Sequence, residues 1–341
     1  MKFTQLYLIG LCLFFSPALF SQTDTTKTEE INFDEFGDAD ASSTKAFCTQ
    51  KVSYLSPTKL ISVGYEAQLP FHWSKVDGQV VASTHVNSFR GLRLAFNTPI
   101  VSRSNFILNL GVSYWNTSVN LANPERSTLF GRLENGLRMT SFNATAFKPL
   151  NSTHFLIFQG QADLNGNYRS LDQISGKAVT YSGAAIFGWK KNDNFMWGIG
   201  LTRTYRAGQV LHIPALLYNR TFNQKWGIEA LLPARLNIRR NFGPTSYLMA
   251  GFEIEGNAYY LSPKNTNEPD WFLRRGEMKP RITYERQLAG FIWLSAQVGW
   301  RYNWRFDVFS TQNPVDNQRP VFENNLGNPL YFNVGINLVS P

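Results

Sequence analysis

The stretch Trp293–Phe306, WLSAQVGWRYNWRF, separates into two alternating sets. Leu294, Ala296, Val298, Trp300, Tyr302, Trp304 and Phe306 are apolar. Trp293, Ser295, Gln297, Gly299, Arg301, Asn303 and Arg305 are mostly polar. Side chains of a β-strand point alternately to opposite sides, so this pattern predicts a strand with unlike faces. Strands of soluble proteins are usually about five or six residues long. A strand crossing a bilayer needs roughly nine to eleven tilted residues, with aromatic side chains at the interfaces. The length and the aromatic end of this stretch fit the second kind.

The N-terminus places the chain in an export route. Met1-Lys2 precedes an apolar run from Leu6 to Phe20, and Ser21 supplies a small residue for cleavage. Residues 1–21 read as a secretory signal peptide, because the run is too short to span a membrane. Cys12 lies within the run, without the small preceding residue that lipidation wants. Residues 22–46 carry Asp24, Glu29, Glu30, Asp34, Glu35, Asp38 and Asp40 among Thr and Ser, and read as a flexible acidic tail. The mature chain then holds one cysteine, Cys48, so no intramolecular disulfide staples the fold. Residues 47–341 are expected to form one domain.

Along that domain one kind of segment recurs. LISVGYEAQ places Ile61, Val63, Tyr65 and Ala67 opposite Ser62, Gly64, Glu66 and Gln68. FRGLRLAFN, FILNLGVSYW, FMWGIGLT, LMAGFEIEGNAYY and YFNVGINL divide in the same way. Less regular segments lie near 132–147, 155–165, 179–189, 210–218, 226–240 and 278–286, and turn-forming clusters such as KPLNST and KKNDN separate them. Aromatics make up 15% and charged residues only 17%, against about a quarter charged in a soluble domain. The fold expected is an all-β, transmembrane, antiparallel β-barrel. Twelve or thirteen strands are counted, and a closed bacterial barrel takes an even number. Twelve is therefore expected, with ten or fourteen as the neighbouring solutions.

In such a barrel the apolar set meets lipid and the polar set lines the interior. The lumen-lining candidates are Arg93, Arg132, Glu134, Arg138, Glu253, Glu255, Arg281, Glu285, Arg301 and Arg305. Both signs are present. In a narrow lumen they are expected to pair and constrict it, because an unpaired charge is costly where water is thin.

The recurring segments, the leader ending ALFSQ and the last strand YFNVGINL resemble the outer-membrane β-barrel proteins of Gram-negative bacteria. Ile213–Leu261 resembles one barrel family of uncharacterised function. The resemblance implies residence in the outer membrane, contact with outer-membrane lipids and lipopolysaccharide, and insertion by the barrel assembly machinery. That machinery usually reads a terminal aromatic. Here the sequence reads NLVSP at its end, so Phe332 to Leu338 would have to serve.

Motifs for chemistry are sparse. His72, His85, His154 and His212 show no metal-ligand spacing, and neither a metal nor a cofactor is expected. G-x-S-x-G, P-loop and H-E-x-x-H motifs are missing. Asn151–Phe155, NSTHF, contains the residue types of a lipid hydrolase, but reads better as a turn. Asn116 and Asn143 match a glycosylation sequon that presumes another compartment. The net charge of +9 comes from arginines spread singly through strands, which argues against nucleic-acid binding. Arg239–Arg240 and Arg274–Arg275 are the candidates for contact with lipid phosphates at a rim. The expected function is a non-enzymatic barrel, structural or handling at most a small solute. A lipid-modifying enzyme and a soluble exported β-sandwich are the alternatives.

Overall fold

The structure, a computed structural model, describes residues 46–340 except 78, 135, 171–172, 207, 264–266 and 315–317. The leader and all but the last residue of the acidic tail lie outside the described residues. Seventeen strands form one sheet. They are β1 (Lys59–Gln68), β2 (Phe71–Asp77), β3 (Gln79–Arg103), β4 (Phe106–Leu121), β5 (Leu137–Pro149), β6 (His154–Gly166), β7 (Val179–Asn192), β8 (Phe195–Thr204), β9 (Leu211–Thr221), β10 (Trp226–Leu232), β11 (Arg235–Gly243), β12 (Ser246–Leu261), β13 (Trp271–Ala289), β14 (Ile292–Trp300), β15 (Tyr302–Phe309), β16 (Glu323–Leu326) and β17 (Leu330–Val339).

Fourteen of them close a ring. β1 pairs β3, each strand from β3 to β13 pairs its successor, β14 pairs β17, and β17 pairs β1, all antiparallel. The expected all-β antiparallel barrel is present, and its strand number is fourteen, not twelve. The miscount has a local cause. Trp226–Arg240 reads as one segment, but Pro233 and Ala234 turn it back on itself, with Leu231 opposite Arg235. β2, β15 and β16 lie outside this ring. They continue β1, β14 and β17 past breaks at Leu69–Pro70, Arg301 and Gly327–Pro329.

The two ends of the barrel differ. Ser104–Asn105, Asp193–Asn194, Pro244–Thr245 and Gly290–Phe291 make short turns at one end, where Lys59 also pairs Val339. The long connections lie at the other end. In outer-membrane barrels the short turns are periplasmic and the long loops extracellular. Gly290, with φ +48°, occupies a left-handed position that glycine tolerates best.

The outer face is apolar. Val63, Leu94, Leu110, Phe142, Phe158, Leu201, Ile238, Ile282, Val298 and Val334 are exposed there. Phe222, Trp226, Phe242 and Phe291 stand exposed near the short turns, and Tyr65, Tyr181, Trp300 and Tyr302 toward the loops. These make the two aromatic belts of a membrane barrel. Among the described residues no helix is long and apolar enough to cross a membrane.

The extracellular end is filled from within. The β4–β5 connection carries a short helix, α1 (Thr128–Leu133), capped by the Ser127 hydroxyl, which accepts from the Leu129 amide. Leu129, Phe130 and Leu133 are buried against Trp73, Phe306, Leu261 and Leu273. Burying a side chain such as Phe130 contributes roughly 1.5–3 kcal/mol. The chain returns to β5 through Gly136, with φ +76° and its Cα close to the Thr117 carbonyl, where any Cβ would collide. Beside α1, β6 meets β12 directly across the interior through Gly166 and Tyr260.

Candidate functional site

The inward set of β13 is the axis of the interior. Every second residue from Trp271 to Glu285 faces in, giving Arg275, Glu277, Lys279, Arg281 and Glu285 on one strand. Inward side chains of neighbouring strands meet them at the same levels. Glu255 lies opposite Glu277, and Glu253 opposite Lys279.

A connected ion network crosses the barrel at mid-height. Arg93 of β3 donates to Glu255 of β12 at 2.8 Å, a bridge between strands five places apart on the ring. Arg93 also reaches Glu66 of β1 at 3.1 Å. Arg301, fully buried at the β14–β15 break, donates to both Glu66 and Glu277. Lys279 lies 2.6 Å from Glu255 and 3.9 Å from Glu66, and Arg275 lies 3.0 Å from Glu277. Arg281 donates to Glu253. Trp115 and Tyr331 supply ring faces to the cations: Arg93 and Arg275 sit 4.5 and 4.8 Å from Trp115, and Arg301 sits 5.3 Å from Tyr331. Such contacts are worth more where water is scarce.

A smaller cluster lies nearer the periplasmic end. Lys59 reaches Glu285 at 2.6 Å, and the Tyr247 hydroxyl donates to the same carboxylate. Residues preceding β1 fold across the short turns. The Cys48 amide donates to the Asn151 carbonyl, the Ser53 amide to the Asp193 carbonyl, and the Ser56 hydroxyl to Glu229 at 2.7 Å. Cys48 itself is buried beside Phe147, Phe155 and Met196, and burial pushes its thiol pKa up. Among the described residues polar cavities lie above this segment, of about 790 Å³, and on either side of the network, of about 220 and 260 Å³.

The ten residues singled out in the sequence divide by position. Arg93, Glu253, Glu255, Arg281 and Arg301 stand together in the network, and Glu285 lies in the periplasmic cluster. Four stand elsewhere. Arg132 and Glu134 belong to α1 and its C-cap rather than to a strand. Arg132 is buried against Trp271 and pairs with Glu268 at 2.7 Å, while Glu134 is exposed. Arg138 is out of phase with the inward Met139 and Ser141, and holds the Tyr168 carbonyl from the outer face. Arg305 leaves the inward set because a bulge intervenes. Arg305 lies opposite Gly276 and Asn303 opposite Glu277, so Trp304 is the extra residue. Beyond it Phe306 and Val308 turn into the α1 core, and Arg305 bonds Gln209. Phe306 is therefore not part of a lipid face.

Sequence reasoning left Glu66, Glu277 and Lys279 out of the lumen-lining set and put Arg275 at a lipid rim, whereas Arg275 is buried and faces inward on Glu277. The signal was present. The alternation of β13 begins at Trp271, and starting it at Met278 cut off its charged half. Of the paired arginines, Arg239 is inward and buried on Glu229, and Arg240 lies over Trp226. Asn151–His154 forms the β5–β6 turn, where the Asn151 side-chain oxygen accepts from the Thr153 and His154 amides. Among the described residues no group of three His, Cys, Asp or Glu side chains is placed to hold a metal.

A closed barrel of fourteen strands with an apolar, aromatic-belted outside and a polar, charged inside is solvable only in a bilayer. This is an outer-membrane β-barrel of a Gram-negative bacterium. The chain belongs to the family described as Domain of unknown function (DUF6268), whose model matches residues 92–339. A comparison with curated proteins yields no match. Among solved structures it is similar to a Pseudomonas aeruginosa FadL homologue at 10% identity and TM-score 0.40, covering 82% of this chain and 89% of that one. It is also similar to an outer-membrane channel from Pseudomonas putida F1 at 12% identity and TM-score 0.35, covering 86% and 100%. A third is the KdgM porin in complex with disordered oligogalacturonate, at 9% identity and TM-score 0.35, covering 82% and 99%. These likenesses concern the fold.

Proposed function

We propose that this chain is a non-enzymatic outer-membrane barrel that admits at most a small solute through a narrow, charged interior. The observation that carries the reading is the network joining Arg93, Glu66, Glu255, Lys279, Glu277 and Arg301 across the barrel. Fourteen strands would leave a wide lumen if their inner faces were solvated. Here cross-barrel ion pairs occupy the middle, and α1 occupies the extracellular end. Fixed charges of both signs select which ions pass, and a constriction excludes large solutes. The turn geometry around Asn151 and His154 supports the non-enzymatic part of the reading.

The test is the conductance of purified protein in planar bilayers, for the native chain and for Glu253→Gln with Glu255→Gln. Small, ion-selective currents that change selectivity in the double variant are expected. Large, unselective currents from the native chain would refute the constriction. Lipid hydrolysis lost on Ser152→Ala or His154→Ala would overturn the non-enzymatic reading.

A further inference from the structure

One cavity of the barrel is both apolar and large. Its volume is about 330 Å³, and inward side chains of β6–β10 make it apolar: Ile157, Ile186, Ile213, Ala215, Leu217 and Leu231. An engineered apolar cavity of about 150 Å³ in another protein stays dry and holds benzene, so this one has room for roughly twice that bulk.

The lining also crosses the wall. β10 and β11 are short, and their turn at Pro233–Ala234 leaves β9 from Leu211 to Ala215 without a partner on that side. Above Glu253, β12 has no partner strand there either. Leu232, Pro233, Ala234, the outer-face residue Ile254 and the exposed Trp304 therefore line the mouth. By register Leu232 lies level with Leu216 and Ile199, both exposed on the lipid-facing side. The mouth opens where apolar molecules dissolved in the membrane are concentrated.

At its inner end the apolar cavity runs into the polar one of about 260 Å³. Both are lined by Gln161, Ser182, Thr204 and Arg206. In the polar cavity Trp115 Nε1 and Arg275 Nη1 are buried and unpartnered among the described residues, with Trp115 6% and Arg275 3% exposed. Leaving such donors unmet costs free energy, so they call for an acceptor. The same cavity is faced by Asp163, Glu253, Glu255 and Glu277 and by Arg93, Arg206 and Arg275, and Lys279, Arg281 and Arg301 pair with three of those carboxylates from behind. An ionised carboxylate head accepts only, so it could not donate to the carboxylates already lining the cavity. A hydroxyl or amide both accepts from Trp115 and Arg275 and donates to a carboxylate.

We propose that the joined cavities bind a small uncharged amphiphile taken from the membrane, its apolar body in the β6–β10 cavity and its hydroxyl- or amide-bearing head beside Trp115 and Arg275. The proposal rests on the small-solute reading and names the solute class. The test is calorimetric titration of 1-octanol, octanoate and octylammonium into the full chain in lipid nanodiscs, with empty discs subtracted. Saturable binding of one 1-octanol per barrel is expected, at least tenfold tighter than either charged analogue. Ala215→Trp, or Ala184→Phe should the first misfold, should abolish it while heat-modifiable migration persists, and Arg275→Met should weaken it at least tenfold. Only non-saturable partitioning, octanoate or octylammonium binding as tightly as 1-octanol, or binding indifferent to the cavity-filling variants would each overturn the site. No current is measured, so lost binding leaves the conductance reading standing, and a large conductance with binding intact does the reverse.

Discussion

Glu66 is the residue whose removal tests the network most directly. The residue is 2% exposed, and its carboxylate faces three cations, Arg301, Arg93 at 3.1 Å and Lys279 at 3.9 Å. In the native network six cations (Arg93, Arg206, Arg275, Lys279, Arg281, Arg301) face four carboxylates (Glu66, Glu253, Glu255, Glu277). Glu66→Gln keeps the shape and leaves six cations against three carboxylates. Breaking a buried pair typically costs about 3–5 kcal/mol, because the surviving charge stays out of water. Here Arg301 keeps Glu277 and Arg93 keeps Glu255, and polar cavities flank the site, so the expected cost is about 3 kcal/mol. Adding Arg301→Met restores the native charge difference, and the double variant should cost no more than about 1 kcal/mol, since neutral replacement of a whole pair is often nearly neutral. The assay is urea unfolding of the barrel in lipid vesicles, read as a double-mutant cycle. Additive losses in the double variant would refute the claim that these two groups act as a pair.

Three further outcomes are expected. Val298→Arg places a charge on the lipid face and should cost about 2–4 kcal/mol, while the inward Gln297→Arg should cost well under half of that in the same unfolding assay; equal costs would mean that the wall does not divide lipid from lumen. Gly136→Ala meets both a left-handed φ and the Thr117 carbonyl, so it should cost about 1–3 kcal/mol and loosen α1, seen as faster proteolysis of the β4–β5 connection; unchanged proteolysis would show that α1 does not depend on this return. Hydrogen bonds from Lys177 and then Tyr260 hold Asp270, in the β12–β13 connection, below its ordinary pKa. A depressed folded pKa adds stability that is present above the unfolded value of about 3.9 and lost as pH falls through the folded value. Hydrogen exchange in this connection should therefore rise below about pH 4, and Asp270→Asn should remove that dependence; an equal rise in the variant would assign it to another group.

Much of the fold was legible because strand alternation is a local property. The faces of β1, β3, β4, β8, β12 and β17 could be assigned by reading every second residue, and Ile61, Leu94, Leu110, Ile199, Ile254 and Ile336 do stand on the outer side. The rule failed where the phase broke. Arg138 follows a helix and a turn that look like strand in sequence, and Arg305 follows a bulged Trp304. A bulge adds one residue and exchanges the two faces from there on, and a single chain read alone shows no partner strand to reveal it.

By itself, then, the sequence determined that this chain builds long strands with an apolar face for lipid and a polar face turned away from it. That follows from a two-residue period and from side-chain polarity, both written along the chain. Tertiary structure alone decided that the ring closes at fourteen, that β6 reaches β12 across the interior, and that Glu66 and Arg301 meet although 235 positions separate them. Those depend on register and closure, which are set by how the strands pair around the whole ring.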